Sequence, residues 1–292
     1  MNMEELQTLR IEYCDSEMRG IVAEKPEIIH IGGNFTFTEG PVWMAAERCL
    51  RFSDIPADII YQWTPNDGLR EWRKPTHNAN GNTTDVEGRL ITCEHGSRRV
   101  TRTARDGTVA VLADAYQGKK LNSPNDVVVK SDGTIWFTDP PYGIPADKQE
   151  QPANYVFRLD PDTPEPVPVA ANFSRPNGLC FSPDEAVLYI DDSDTDIHHI
   201  RRFRVQADNS LADDGVFAVV SPGVPDGMRV DPAGRLYSSA GDGIHIFRRD
   251  GTLLGKVLTP QTASNCAFGV IRETTYLFIT ATGSVWAIAL QW

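Results

Sequence analysis

No stretch of this 292-residue chain approaches the ~18 uninterrupted apolar residues of a membrane-spanning helix, which excludes an integral helical membrane protein. The first twenty residues, MNMEELQTLRIEYCDSEMRG, are acidic and lack an unbroken apolar core. That is the opposite of an export leader, so a cytoplasmic protein is expected. Cysteine is sparse: five, an odd number, with no CxxC spacing. A thiolate zinc site is therefore not expected, and four of the five lie beside strand patterns where free Cys acts as a small buried hydrophobe. No cluster of Lys and Arg offsets the net charge of −12, which argues against nucleic acid or an anionic membrane as partner. A GxSxG elbow is absent, as is any paired Ser-His context, so a serine nucleophile is not expected. Beyond residue 20 nothing shows a 3.6-residue apolar period.

What the chain does have is a repeat. Short strand patterns begin at Leu50 (LRFSD), Leu90 (LITCE), Ile135 (IWFTD), Leu188 (LYIDD), Leu236 (LYSSA) and Leu277 (LFITA), separated by 40, 45, 53, 48 and 41 residues. Ten to twelve positions ahead of each stands one polar residue: Glu39, Asn80, Asn125, Asn177, Asp226 and Asn265. Repeats of this length built from several short strands are the signature of a β-propeller. Turn signals such as Asp106-Gly107, Asp132-Gly133 and Asp250-Gly251 supply the hairpins. The expectation is an all-β, six-bladed β-propeller with a central metal site, spanning residues 27–292 behind an N-terminal extension, 1–26. Glu27–Ile31 is expected to close the circle by pairing with Ser284–Leu290. The Pro-rich, acidic stretch Ile144–Pro168 is expected to hold a long loop at the mouth of the site.

One polar residue per blade places six of them around one axis. Glu39 and Asp226 offer carboxylate oxygens, and Asn125 and Asn177 offer amide oxygens. An all-oxygen set suits Ca²⁺ first, and also Mg²⁺, Mn²⁺ or Zn²⁺. Glu39 is the telling member, because Glu is not a turn former and an uncompensated buried carboxylate is costly. Asn80 and Asn265 remain for substrate, with His77, Glu94, His95 and Tyr142 in loops that could face the same opening. Asp192, Asp194 and Asp196 imitate a calcium loop, but Ile197 stands where Gly is needed; they read as a solvated turn.

Several segments together, in this order, are specific: FTEGPVW (37–43), NGNTTDVEGRLITCEHGSRRVTR (80–102), SPNDVVVKSDGTIWFTDPPYG (123–143), RPNGLCFSPDEAVLYIDDS (175–193) and PDGMRVDPAGRLYSSAGDGIHIF (225–247). They resemble the family of senescence marker protein 30, gluconolactonase and luciferin-regenerating enzyme, with bacterial gluconolactonase nearest in flavour. The resemblance implies a six-bladed propeller that hydrolyses lactones with one divalent ion at the axis. It implies metal binding by Glu39, Asn177 and Asp226, with Asn125 binding metal or substrate, and Asp226 as the general base. The rival to Asp226 as base is water activated by the cation itself. Where the mammalian members carry a sugar-binding Arg, this chain has Ser123. Substrate contacts are therefore expected from Asn125, Asn80, His95, Tyr142 and Asn265. The expected partner is a small-molecule sugar lactone; the oligomeric state is open. The other readings are an organophosphate or aryl-ester hydrolase on the same metal, or a metal-binding propeller without catalysis. A condensing propeller of the strictosidine-synthase type is disfavoured by the ligand set.

Overall fold

The computed structural model describes residues 8–161, 163 and 165–292. It is an all-β, six-bladed propeller. Each of six antiparallel sheets carries four strands in sequence order from the axis outward, save that the sixth takes its outermost strand from the start of the chain. The innermost strands are Thr38–Met44, Ala79–Thr84, Val127–Val129, Pro176–Phe181, Met228–Val230 and Asn265–Ile271. The periodic patterns seen in the sequence are the second strands, from Cys49–Asp54 in the first blade to Thr274–Ala281 in the sixth. Their alternation is weak because both faces are covered by neighbouring blades, so they run almost wholly buried.

Six apolar clusters fill the six spaces between adjacent blades. Between the third and fourth blades, for example, Trp136 and Val156 meet Leu179, Leu188 and Ile190. The ring closes as expected: Ile28–Gly33 pairs antiparallel with Ser284–Ala289, and His30 stacks on Trp286 at 4.2 Å. Four of the five cysteines are buried in these layers, and all five are free thiols.

The N-terminal segment is not a separate extension. Arg10–Tyr13 adds a fifth strand to the fifth blade by pairing with Leu253–Leu258. Leu9, Met18, Ile21 and Val22 then cap the space between the fifth and sixth blades. Residues 1–7 lie outside the described residues. The stretch 144–168 holds a long connecting loop as expected, over 140–154, and beyond it Tyr155–Leu159 and Val167–Ala170 are the outer strands of the third blade. Gln151 ties that loop to a short hairpin by donating to the carbonyls of Tyr116, Lys119 and Lys120.

A recurring clasp fixes the entry to the blades. Asp54, Asp139 and Asp192 end their second strands, and each carboxylate accepts two successive backbone N–H groups. The donors are Thr36 and Phe37, Asn122 and Ser123, and Ser174 and Arg175. Asp192 is therefore buried structure and not part of a solvated turn. In each case the clasped residues stand two and three positions ahead of Glu39, Asn125 and Asn177, so the clasp positions the axial ring.

Candidate metal centre

The ring residues sit where the inner strands begin, and glycine lets those strands approach one another. A Cβ on Gly40 would lie 2.1 Å from the Asn80 carbonyl, one on Gly81 2.4 Å from the Asn125 carbonyl, and one on Gly178 2.1 Å from the Asp226 carbonyl. Only glycine admits backbone that close. Neighbours are linked: Gly81 N–H donates to Asn125 O at 2.8 Å, and Thr138 Oγ1 to Asn177 O at 2.7 Å. Across the closure, Asn265 Nδ2 donates to Glu39 Oε2 at 2.9 Å. The six expected residues thus form one circle.

Their environments differ. Glu39 is 3% exposed; its Oε2 accepts from Asn265 and from Gly40 N–H, while Oε1 is buried without a partner. Burial, and then the charges of Asp226 and Asp126, push its carboxyl well above the usual range. Asp226 keeps a partly exposed edge, yet its carboxyl group is enclosed enough that burial, followed by Asp126, raises it to about 7. The Asn177 amide opposes that shift by hydrogen bonding to it. Asn125 and Asn177 are both buried.

Asn80 contacts His95 Nε2 through Nδ2 at 3.0 Å, and its Oδ1 is buried without a partner. Burial lowers His95 to about 4, so the ring stays neutral. Asn265, expected to meet substrate, is 1% exposed with both ends of its amide engaged: Nδ2 on Glu39, Oδ1 accepting Cys266 N–H. It supports Glu39 from beneath and does not face an opening. Tyr142 is 39% exposed, in a loop seated on His95 and Ser123; Gly143 N–H donates to Ser123 Oγ at 2.9 Å. Burial and the nearby Asp226 charge raise its phenol. Glu94 is not in a loop. It ends a second strand and is buried against Arg99, Ser97 and Thr101. His77 is exposed, and its carbonyl accepts Gly96 N–H.

Two acids at the axis escaped the sequence reading. Asp126 is buried with Oδ2 unpartnered, 3.6 Å from Arg229 Nη1, and Asp191 is buried with Oδ2 unpartnered. Burial comes first in raising both; Asp191 is raised further by Asp226 and Asp126, whereas Arg229 opposes the shift at Asp126. The adjacent Asn125-Asp126 was the available signal for one; Asp191 looks like any strand residue. Four buried oxygens, on Glu39, Asn80, Asp126 and Asp191, thus lack donors among the described residues. Acceptors gathered without donors fit a hard cation. Among the described residues no three His, Cys, Asp or Glu side chains come together as an ion site, so an ion bound here would need amide oxygens as well.

Residues 37–283 match the family model described as SMP-30/Gluconolactonase/LRE-like region. The chain belongs to that family. It is 36% identical to a gluconolactonase of Zymomonas mobilis over 87% of this chain and 79% of that protein. A solved structure of a gluconolactonase from Xanthomonas campestris superposes with a TM-score of 0.90 at 38% identity, covering 96% of this chain and 94% of that one. A luciferin-regenerating enzyme at 18% identity, covering 92% and 98% of the two chains, shares the fold with a TM-score of 0.75. The propeller is thus shared across a wide range of sequence, and the site must be argued from the residues present.

Proposed function

We propose that this protein hydrolyses sugar lactones, opening an aldonolactone such as D-glucono-1,5-lactone to its aldonic acid at the axial ring. The observation that carries the reading is the unpartnered Oε1 of buried Glu39 in a circle that also holds Asp226, in a family member matched along most of its length. Glu39, Asn125, Asn177 and Asp226 would hold one divalent ion, Ca²⁺ by preference for all-oxygen donors, with Mg²⁺, Mn²⁺ or Zn²⁺ tolerated. When bound, it would polarise the lactone carbonyl and offset the charge that develops on its oxygen. Five free thiols support a reducing, cytoplasmic setting.

The chain's own groups do the rest. Asp226 accepts a proton from the attacking water as its oxygen bonds to the carbonyl carbon. The same proton then goes to the ring oxygen as the C–O bond breaks, giving the hydroxy acid. Burial, which raises Asp226, favours this shared-proton role; a bound cation opposes it. Asn80 Oδ1 and the Asn125 amide orient the substrate hydroxyls, neutral His95 fixes the Asn80 amide, and Tyr142 shelters the mouth. The test is acid release from D-glucono-1,5-lactone, corrected for spontaneous opening, by metal-stripped protein and after adding each ion. Turnover that depends on metal and disappears in Glu39→Gln is expected; turnover surviving both would refute the reading.

A further inference from the structure

The ring described above is built from acceptors: carboxylates, and amides whose N–H groups are partly engaged. A sugar lactone also carries oxygens that need donors. The residue two positions ahead of each ring member has the same register in every blade. Those residues are Phe37, Asn78, Ser123, Arg175, Val224 and Ala263, and only one is charged. Ser123 holds the Tyr142 loop by accepting Gly143 N–H; its hydroxyl keeps one neutral donor, but no charge.

Arg175 is different. Its backbone is clamped on both sides: N–H donates to Asp192 Oδ1 at 2.9 Å, and its carbonyl accepts Ser193 N–H at 3.0 Å. Its side chain is exposed, with the guanidinium carbon 5.9 Å from the centre of the Tyr142 ring. The Tyr142 ring in turn lies close enough to Asp226 and Ser193 for both to act on its hydroxyl. Among the described residues the Arg175 guanidinium has no hydrogen-bond acceptor and no carboxylate within ion-pair distance. The nearby Asp194 carboxylate is occupied by Ser174 Oγ and Asp196 N–H. A rigid backbone therefore carries a free five-donor fork that faces the Tyr142 ring.

We infer that Arg175 is a specificity-determining residue, which takes the oxygen-bearing exocyclic end of the lactone on its guanidinium, beside Tyr142. The shared chemistry is an acceptor oxygen on the exocyclic carbon attached to the carbon that bears the ring oxygen, whether a neutral hydroxyl or an anionic group. A fork with no protein partner serves either, and an anion gains more from it. The inference rests on lactone hydrolysis at the ring.

The experiment compares wild type, R175Q and R175K on D-glucono-1,5-lactone and on its 6-phosphate, measuring kcat and KM separately. Equilibrium binding of gluconate and 6-phosphogluconate is measured in parallel. R175Q is expected to raise KM for the neutral lactone about tenfold and for the phosphorylated one about a hundredfold, from the loss of charge-assisted hydrogen bonds. Its kcat should stay within about twofold, because the group binds ground and transition states alike. R175K should recover part of the phosphorylated substrate's binding, by charge, and little of the neutral one's, which needs the fork. KM and product affinity within twofold of wild type in R175Q overturn the inference, as does a fall in melting temperature without either change. If wild type turns over neither lactone, the proposed function fails. The binding arm then decides Arg175 alone: gluconate and phosphogluconate affinities unchanged from wild type in R175Q overturn it, and a weakening that is larger for phosphogluconate supports it.

Discussion

His95 offers a test of the ring's internal geometry that needs no substrate. Asn80 Nδ2 stands 3.0 Å from Nε2, so that nitrogen must be unprotonated to accept. Burial holds the imidazole at about 4, against 6.5 in the unfolded chain. The sign follows directly. Above 6.5 neither state carries the proton and the full stability is present. Between 6.5 and 4 only the unfolded chain binds it, so stability falls as pH falls. Linkage gives a loss of about 2 kcal/mol by pH 5 and about 3 kcal/mol by pH 4. Replacing His95 by Asn removes this titration and leaves every other group in place. The difference in unfolding free energy between wild type and His95→Asn, from urea melts at pH 7.5, 6, 5 and 4.5, should therefore shift against wild type by those amounts. A difference that stays flat from pH 7.5 to 5 refutes the buried neutral imidazole, and with it the fixed orientation of Asn80.

Gly227→Ala places a Cβ 1.9 Å from Cγ of Asn265, so Asn265 must leave Glu39. Calorimetric metal binding and lactone turnover should both collapse, while Gly20→Ala, with nothing within 4 Å, should leave both unchanged. Met18→Ala opens a cavity in the cap on the fifth and sixth blades and should cost about 2–5 kcal/mol in denaturant melts. A cost under about 1 kcal/mol would mean that the cap is not part of the cooperative core. Asp226→Asn should keep some metal affinity through its amide oxygen and lose turnover about a hundredfold or more. An unchanged kcat would remove Asp226 from the proton path.

The circle of six residues was legible because its spacing is imposed by blade geometry, and the closing strand because a circular fold needs a partner for its last sheet. The direction of each ring side chain was not legible. Asn80 and Asn265 are the same residue type at matching positions, yet one leaves an oxygen free and the other is tied off beneath Glu39. What separates them is what each amide meets: that of Asn265 lies over Gly227 and reaches Glu39, whereas that of Asn80 turns to His95. Glu94 was misread for a related reason. It stands at the strand position that in three other blades holds the clasp carboxylate, but it accepts from the Ser97, Arg99 and Thr101 side chains, while Asp58 takes the backbone N–H groups of Thr76 and Asn78. The N-terminal strand was invisible because its pairing is made by backbone groups. Its apolar anchors, Leu9, Met18, Ile21 and Val22, follow no regular period.

A repeat that is nearly symmetric in backbone thus yields a site that is not symmetric at all. The inter-blade apolar clusters, and in three blades the clasp carboxylates, hold the entries in place without help from the ring side chains. Each ring position is then free to diverge as long as the strands can still approach. Glu39 shows the consequence. One of its oxygens is held by Asn265 and Gly40, so it presents a single oxygen, in a direction set two blades away by an absent side chain at 227. A donor fixed from behind loses little freedom on binding an ion, and that is the physical advantage of assigning the sixth position to support instead of ligation. The same logic explains why the unpaired acids can persist. Each unsatisfied carboxyl oxygen costs free energy that the apolar layers supply elsewhere in the propeller. A cation at the axis would recover that cost only where the oxygens already converge.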